Sequence, residues 1–147
     1  MTSIWKSASF VVVGSLFLSG SAPANAPVGR YTAGTGTVLD SKTGLTWEQP
    51  ASTTLLGWAD ARSYCTAKGG GWRLPTIKEL FSLVDFGKTM SSTSPMIDAM
   101  FTGTQSAIYW SSTVAAGLPS LAWYVAFDDG HARTIDMTNM GYVRCVR

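Results

Sequence analysis

The stretch Trp72-Arg73-Leu74-Pro75-Thr76-Ile77-Lys78-Glu79-Leu80 decides how the chain is organised. Thr76 and Glu79 stand three residues apart, directly ahead of an apolar run. That is the spacing of a capping box, in which the Thr and Glu side chains each take a backbone N–H at a helix start. Pro75 in front of the cap suits an extended approach. Behind it, Ile77, Leu80, Phe81 and Val84 recur at i, i+3, i+4 and i+7, with Lys78, Glu79, Ser82 and Asp85 turned away. The spacing predicts a helix with its apolar stripe on a core.

Upstream, Gly57 to Lys68 has a second helical pattern, with Trp58, Ala61, Tyr64 and Cys65 on one face and Asp60, Arg62 and Thr66 opposite. Gly69-Gly70-Gly71 ends it. Thr37 to Trp47 places two short apolar stretches around Asp40-Ser41-Lys42-Thr43-Gly44, which is a hairpin signal. Residues 25–36 are small and polar and read as a flexible N-terminal tail before a domain over 37–147.

Downstream, Gly87 to Ser106 is rich in Ser, Thr and Met and reads as a long loop, in which Ser94-Pro95 caps a single turn through Phe101. Ile108 to Thr113, Ala122 to Phe127, Ala132 to Met137 and Tyr142 to Arg147 read as strands, with Asp128-Asp129-Gly130-His131 as a hairpin turn. Trp123, Val125 and Phe127 share one face, as do Val143 and Cys145. A hairpin, two helices, a long loop and a small antiparallel sheet make an α+β domain.

The N-terminus has the parts of a cleavable Sec signal peptide over residues 1–24. Lys6 supplies the only charge before Arg30, Ala8 to Leu18 is an apolar run too short to span a bilayer, and Ala22-Pro23-Ala24 offers a cleavage site. Cutting after Ala26 would set Pro27 against the scissile bond, so cleavage is expected after Ala24. The product is expected in the periplasm or outside the cell, with no membrane insertion.

Charged residues are 14% of the chain, against about 25% in typical domains. Removing Lys6 leaves ten Lys and Arg against nine Asp and Glu. A net side-chain charge of +1 neither tracks a phosphate backbone nor holds anionic lipid, so nucleic acid is excluded as a partner. Cys65 and Cys145 are the only thiols. Export places them where disulfides persist, and with the single His131 they match no zinc spacing, so they are expected to bridge.

The order of elements, with a helix-one Cys paired to a last-strand Cys, is similar to the C-type-lectin-like fold. Thr37-Val38-Leu39-Asp40, Thr43-Gly44-Leu45-Thr46-Trp47, Trp72-Arg73-Leu74-Pro75-Thr76 with Glu79-Leu80, Tyr109-Trp110-Ser111-Ser112 and Val143-Arg144-Cys145-Val146-Arg147 resemble the C-terminal domain family of the Legionella collagen-like adhesin. The resemblance covers nearly all of residues 31–147. It implies two helices packed on a small twisted antiparallel sheet, related to formylglycine-generating enzymes. It also implies binding to sulfated polysaccharide and host surfaces. Trp72, Arg73, Leu74, Pro75, Thr76 and Glu79 are read as a structural motif, Arg73 buttressing a loop while Pro75 and Thr76 set the helix start.

The sharper chemistries fail on particular residues. Calcium takes six to eight oxygens, and the acid-amide motifs of calcium-dependent lectins are missing, Glu48-Gln49-Pro50 lying before helix one. No metal and no cofactor are therefore expected. Copper-dependent oxidation needs free thiols, and both are taken by the expected bridge. Hydrolysis would have to use His131, in a turn. The expected function is a secreted, non-catalytic binding or adhesion module. It would contact polysaccharide or an envelope or host-surface protein through the long loop and through Trp123, Asp128, Asp129 and His131. The alternative is a structural or assembly component of the envelope with no soluble ligand.

Overall fold

Residues 27–147 are described by the computed structural model, so the signal peptide read over 1–24 lies outside the described residues. Strands β1 (Tyr31–Ala33), β2 (Thr37–Asp40) and β3 (Thr46–Glu48) form one antiparallel sheet. Helices α1 (Trp58–Thr66) and α2 (Ile77–Phe81) follow. Strands β4 (Ile108–Ala115), β5 (Leu118–Ala126) and β6 (His131–Asp136) form a second antiparallel sheet. The class is α+β, with two three-stranded sheets where one was expected.

The first hairpin closes as its sequence predicts. The Asp40 carboxylate accepts the Lys42 N–H at 3.0 Å, and Gly44, at φ +74°, donates its N–H to the Asp40 carbonyl. Val38 then pairs with Trp47, and both are wholly buried. The flexible tail read over residues 25–36 is corrected by β1. Tyr31 is buried edge-on against Phe101, and Arg30 grips both oxygens of Asp40 at 3.0 and 2.7 Å. Three residues are too few to show a period of two, so this strand carries no pattern of its own.

In α1 the expected inner face holds at Ala61 and Cys65, which are buried, with Trp58 and Tyr64 half-buried, but Arg62, expected opposite Trp58, lies over its ring. Gly69, Gly70 and Gly71 all have positive φ, which stops a right-handed helix at once. The capping box of α2 is complete. The Glu79 N–H donates to Thr76 Oγ1 at 3.4 Å, and Glu79 Oε2 accepts the Thr76 N–H at 2.8 Å. The same carboxylate takes both arms of Arg73 at 2.8 Å.

The expected stripe nevertheless breaks after Leu80. Helix α2 has only five residues, Phe81 is exposed, Leu83 is buried in its place, and Asp85 is turned inward. The Ser82 hydroxyl closes on the Glu79 carbonyl at 2.7 Å, and Val84 pairs with Ile97 across the long loop. Pairing with a distant segment thus overrides the local period. That bridge takes up Ile97, so the single turn through Phe101 starts at Asp98 and not at Ser94-Pro95, the Phe101 N–H reaching the Asp98 carbonyl at 3.1 Å; Met96, Ile97 and Phe101 are buried.

In the second sheet, β5 pairs with β6 from Leu121↔Asp136 to Ala126↔His131. Gly130 sits in the connecting turn at φ +72°, where an added Cβ would lie 3.0 Å from Val84 Cγ1. Tyr142 to Arg147, expected as a strand, forms no ladder. Its pairings go to different neighbours in turn: Tyr142 to Tyr109, and Val146 to both Trp47 and Arg73. Cys145 is bonded to Cys65 across 80 residues, with Cα atoms 5.5 Å apart.

The core has two parts. One gathers Tyr31, Val38, Trp47, Leu80, Leu83, Ile97, Phe101, Tyr109, Val125, Phe127 and Val146. The other surrounds the disulfide with Ala61, Leu74, Trp110, Ala122 and Val143. Arg144, in the C-terminal segment that reaches both, is wholly buried. Its guanidinium donates to the Glu48 carbonyl at 2.7 Å, to the Gln49 carbonyl, and to Thr104 Oγ1 at 2.5 Å. It also lies 5.0 Å from the Phe101 ring. Burial pulls its pKa down to about 10, so it stays protonated at neutral pH.

Two measurements test these contacts. Arg144→Met would leave two carbonyls and a hydroxyl without their donor. At about 1–3 kcal/mol for each orphaned buried group, chemical unfolding should show a loss of about 3 kcal/mol or more. A loss under about 1 kcal/mol would mean that the guanidinium does not hold these groups. The second concerns pH. Hydrogen bonding from Arg73 holds the Glu79 carboxyl below its usual range, against the opposing effect of burial. A depressed folded pKa contributes stability above the unfolded value, about 4.3, that is lost as pH falls through the folded one. Glu79→Gln should therefore melt below the parent at neutral pH, with the gap closing in acid. A gap equal at both ends would remove Glu79 ionisation from the account.

Candidate functional site

The outer side of α1 carries the chemistry best suited to holding a ligand. Trp58 opens the helix, and its indole N–H donates to the Ser111 carbonyl at 2.8 Å, which pins the ring to β4. One turn later, Arg62 lays its guanidinium over that ring at 5.0 Å. A stacked guanidinium is held flat while its N–H edge stays free to bond outward. Thr66 follows one turn on, so Trp58, Arg62 and Thr66 form an i, i+4, i+8 row.

Across from this row runs the chain that enters α2. Arg62, Thr66, Arg73, Leu74, Thr76 and Ser112 line a cleft of about 350 Å³. A depression of about 250 Å³ adjoins it, sharing Arg62 and Thr66 and adding Trp58, Ala59 and Ser63. Two guanidiniums and several hydroxyls therefore face one groove with no carboxylate in its lining. Arg73 is committed to Glu79, whereas Arg62 forms no ion pair among the described residues. Two further cations stack nearby: Lys68 Nζ lies 4.3 Å from the Tyr64 ring, and the Arg147 guanidinium 4.8 Å from Trp72. Lys68 also pairs with Glu48 at 2.8 Å. Planar guanidinium forks beside hydroxyls suit sulfate, carboxylate or phosphate groups.

The residues singled out from sequence lie elsewhere. Asp129 accepts the His131 N–H at 3.0 Å and Arg133 Nη2 at 2.7 Å. Burial raises its pKa, but these bonds prevail and hold it low. His131 is exposed, its Nδ1 2.9 Å from the Asp129 carbonyl. Asp128 ties the hairpin to the long loop by accepting the Ser91 N–H on its carbonyl, while its Oδ1 is buried without a partner. Trp123 pairs with Thr134, whereas His131 pairs with Ala126 and Arg133 with Tyr124. These positions alternate, so Trp123 lies on the opposite face of the sheet. The structure joins Asp129 and His131 to Arg133 and separates Trp123 from them. None of the four lines the α1 groove.

Sequence reasoning missed Arg62 and assigned Arg73 to structure alone. The row Trp58-Arg62-Thr66 was the available signal, since four-residue spacing places an aromatic, a cation and a hydroxyl along one side of a helix.

A larger cleft of about 520 Å³ lies between the β1 approach and the long loop, with Arg30, Tyr31, Asp85, Lys88, Asp98 and Met100 in its lining. Among the described residues, no three His, Cys, Asp or Glu side chains are grouped to hold a metal ion. None of the described helices is long and apolar enough to cross a membrane, and the Cys65–Cys145 bond fits an oxidising compartment.

No curated protein matches the chain. The family model of the Lcl C-terminal domain matches residues 36–147, from just before β2 to Arg147. That span takes in both helices, the disulfide and the α1 groove, and the chain belongs to the Lcl C-terminal domain family.

Proposed function

We propose that this protein is an exported, non-catalytic binding or adhesion module that recognises polysaccharide, with the α1 groove taking the anionic groups of the ligand. The observation that carries this reading is Arg62, stacked on Trp58 and without an ion pair among the described residues, at a cleft lined with hydroxyls. Membership of an adhesin's domain family fits it. The fold is proposed to be C-type-lectin-like. In support stand two helices, a long irregular loop and a disulfide from α1 to the C-terminal segment. Export rests on the apolar N-terminal run and on the disulfide.

The non-catalytic reading is supported by the thiols and the histidine. Both thiols are joined to each other, and His131 sits on a turn bound to its neighbour's backbone. Nucleic acid is not a proposed partner, because the near-even count of basic and acidic side chains lacks the strong positive charge of a phosphate-tracking domain. A protein contact, as in an envelope component, has one observation in its favour. Phe81 and Phe86 are both exposed and lie edge-to-face at 5.8 Å.

Calorimetry with dextran sulfate and uncharged dextran tests the proposal. Dextran sulfate should bind saturably, more weakly at high salt, and the uncharged polymer should not. Arg62→Ala removes one charge-assisted contact of about 1.5–3 kcal/mol, so affinity should fall about tenfold or more. Unchanged affinity in Arg62→Ala would remove the groove from the account. Binding of neither polymer, with recovery only of protein partners from envelope extract, would favour the structural component.

A further inference from the structure

We propose that the cleft between the β1 approach and the long loop binds the primary ammonium group of an amino sugar. The proposal rests on the polysaccharide reading above but uses a different site. Its volume of about 520 Å³ falls within the roughly 300–1,000 Å³ of ligand clefts.

Three acceptors in its lining lack a donor for a free lone pair. Asp85 is 8% exposed, and its Oδ1 accepts the Gly87 N–H at 3.0 Å. Asp98 Oδ1 accepts the Met100 N–H at 2.9 Å. In each case the loop's own backbone fixes the carboxylate through one oxygen, and Oδ2 has no partner among the described residues. Tyr31 is 6% exposed, and its hydroxyl likewise forms no hydrogen bond among the described residues. None of these three atoms is among the sealed, unpartnered polar atoms, which are Trp47 Nε1, Ser106 Oγ, Asp128 Oδ1 and Arg144 Nε. Each therefore keeps some exposed surface, and all three residues line the cleft. Burial raises the Tyr31 pKa, Arg30 lowers it, and Asp40, Asp98 and Asp85 push it up, so both cleft carboxylates act on the Tyr31 hydroxyl.

The charges favour a cation. Arg30 is already consumed by Asp40, whose two oxygens it binds. Asp85, Asp98 and Lys88 form no ion pair among the described residues, which leaves the cleft one negative charge in excess. An ammonium, with three N–H donors and no acceptor, supplies both the missing positive charge and donors for these open oxygens. Two carboxylates fall well short of the six to eight oxygens that calcium takes. Met100, 40% exposed, gives the sugar ring an apolar wall.

The probes are a β-1,4-linked glucosamine tetramer and its fully N-acetylated counterpart, titrated into the purified protein at mildly acidic pH. The free-amine tetramer should bind at least about tenfold tighter. Asp98→Asn, at a half-buried position, should remove that preference while leaving the melting temperature near the parent's. Asp85→Asn should do the same. Equal affinity for the two tetramers, or a preference that survives Asp98→Asn, would overturn the proposal. Binding of dextran sulfate but of neither tetramer overturns the ammonium site and leaves the anionic groove standing. Binding of none of the three overturns both.

Discussion

A guanidinium with no carboxylate of its own organises this domain. Arg144 sits wholly buried and spends its donors on the carbonyls of Glu48 and Gln49, where β3 ends, and on the hydroxyl of Thr104 in the long loop. Two irregular segments 55 positions apart, at 49 and 104, are thereby held to one side chain. Irregular backbone in a core leaves its carbonyls unpaired, and a five-donor fork serves several at once. Phe101 lies against the same guanidinium, so the loop is fixed by packing as well as by hydrogen bonds. Phe101 also packs edge-on against Tyr31, which carries this anchoring to the edge of the long-loop cleft.

The segment around Arg144 does the remaining joining. Its neighbour Cys145 is bonded to α1, and Val146 pairs with both β3 and the approach to α2. Val143 donates its N–H to the Ser52 hydroxyl oxygen and accepts the Ser52 N–H on its carbonyl. Successive residues thus bond to different elements, where a strand would repeat one neighbour. The two sheets share no ladder; this segment is the seam between them. The α1 groove lies over that seam, its Arg73 wall held by the backbone pairing of Arg73 with Val146.

What the sequence made legible was local. The capping box of Thr76 and Glu79 needs only three residues to declare itself, and it formed as read. The glycine run after α1 and the Asp40 hairpin are of the same kind. Distant pairing leaves no such local mark. Phe81 and Leu83 exchanged roles because Val84 pairs with Ile97, and no local period reports such a bridge. The inward direction of Val143 and Cys145 was right, while their ladder was not. The sites follow the same rule. Trp58, Arg62 and Thr66 were readable from helical spacing, whereas Asp85 and Asp98 share a cleft only through tertiary folding.

The seam also orders events in time. Residues 141–147 leave the ribosome after both sheets and both helices, yet they carry Arg144, Cys145 and the pairings that join those parts. Long-range closure of this kind is slow, because chain entropy is lost before the contacts that offset it are made. Until this stretch is made, the two sheets lack the pairings to Trp47 and Tyr109 that join them. The domain is therefore locked together late, and a chain stopped before residue 141 holds its elements without the contacts that bind them into one core.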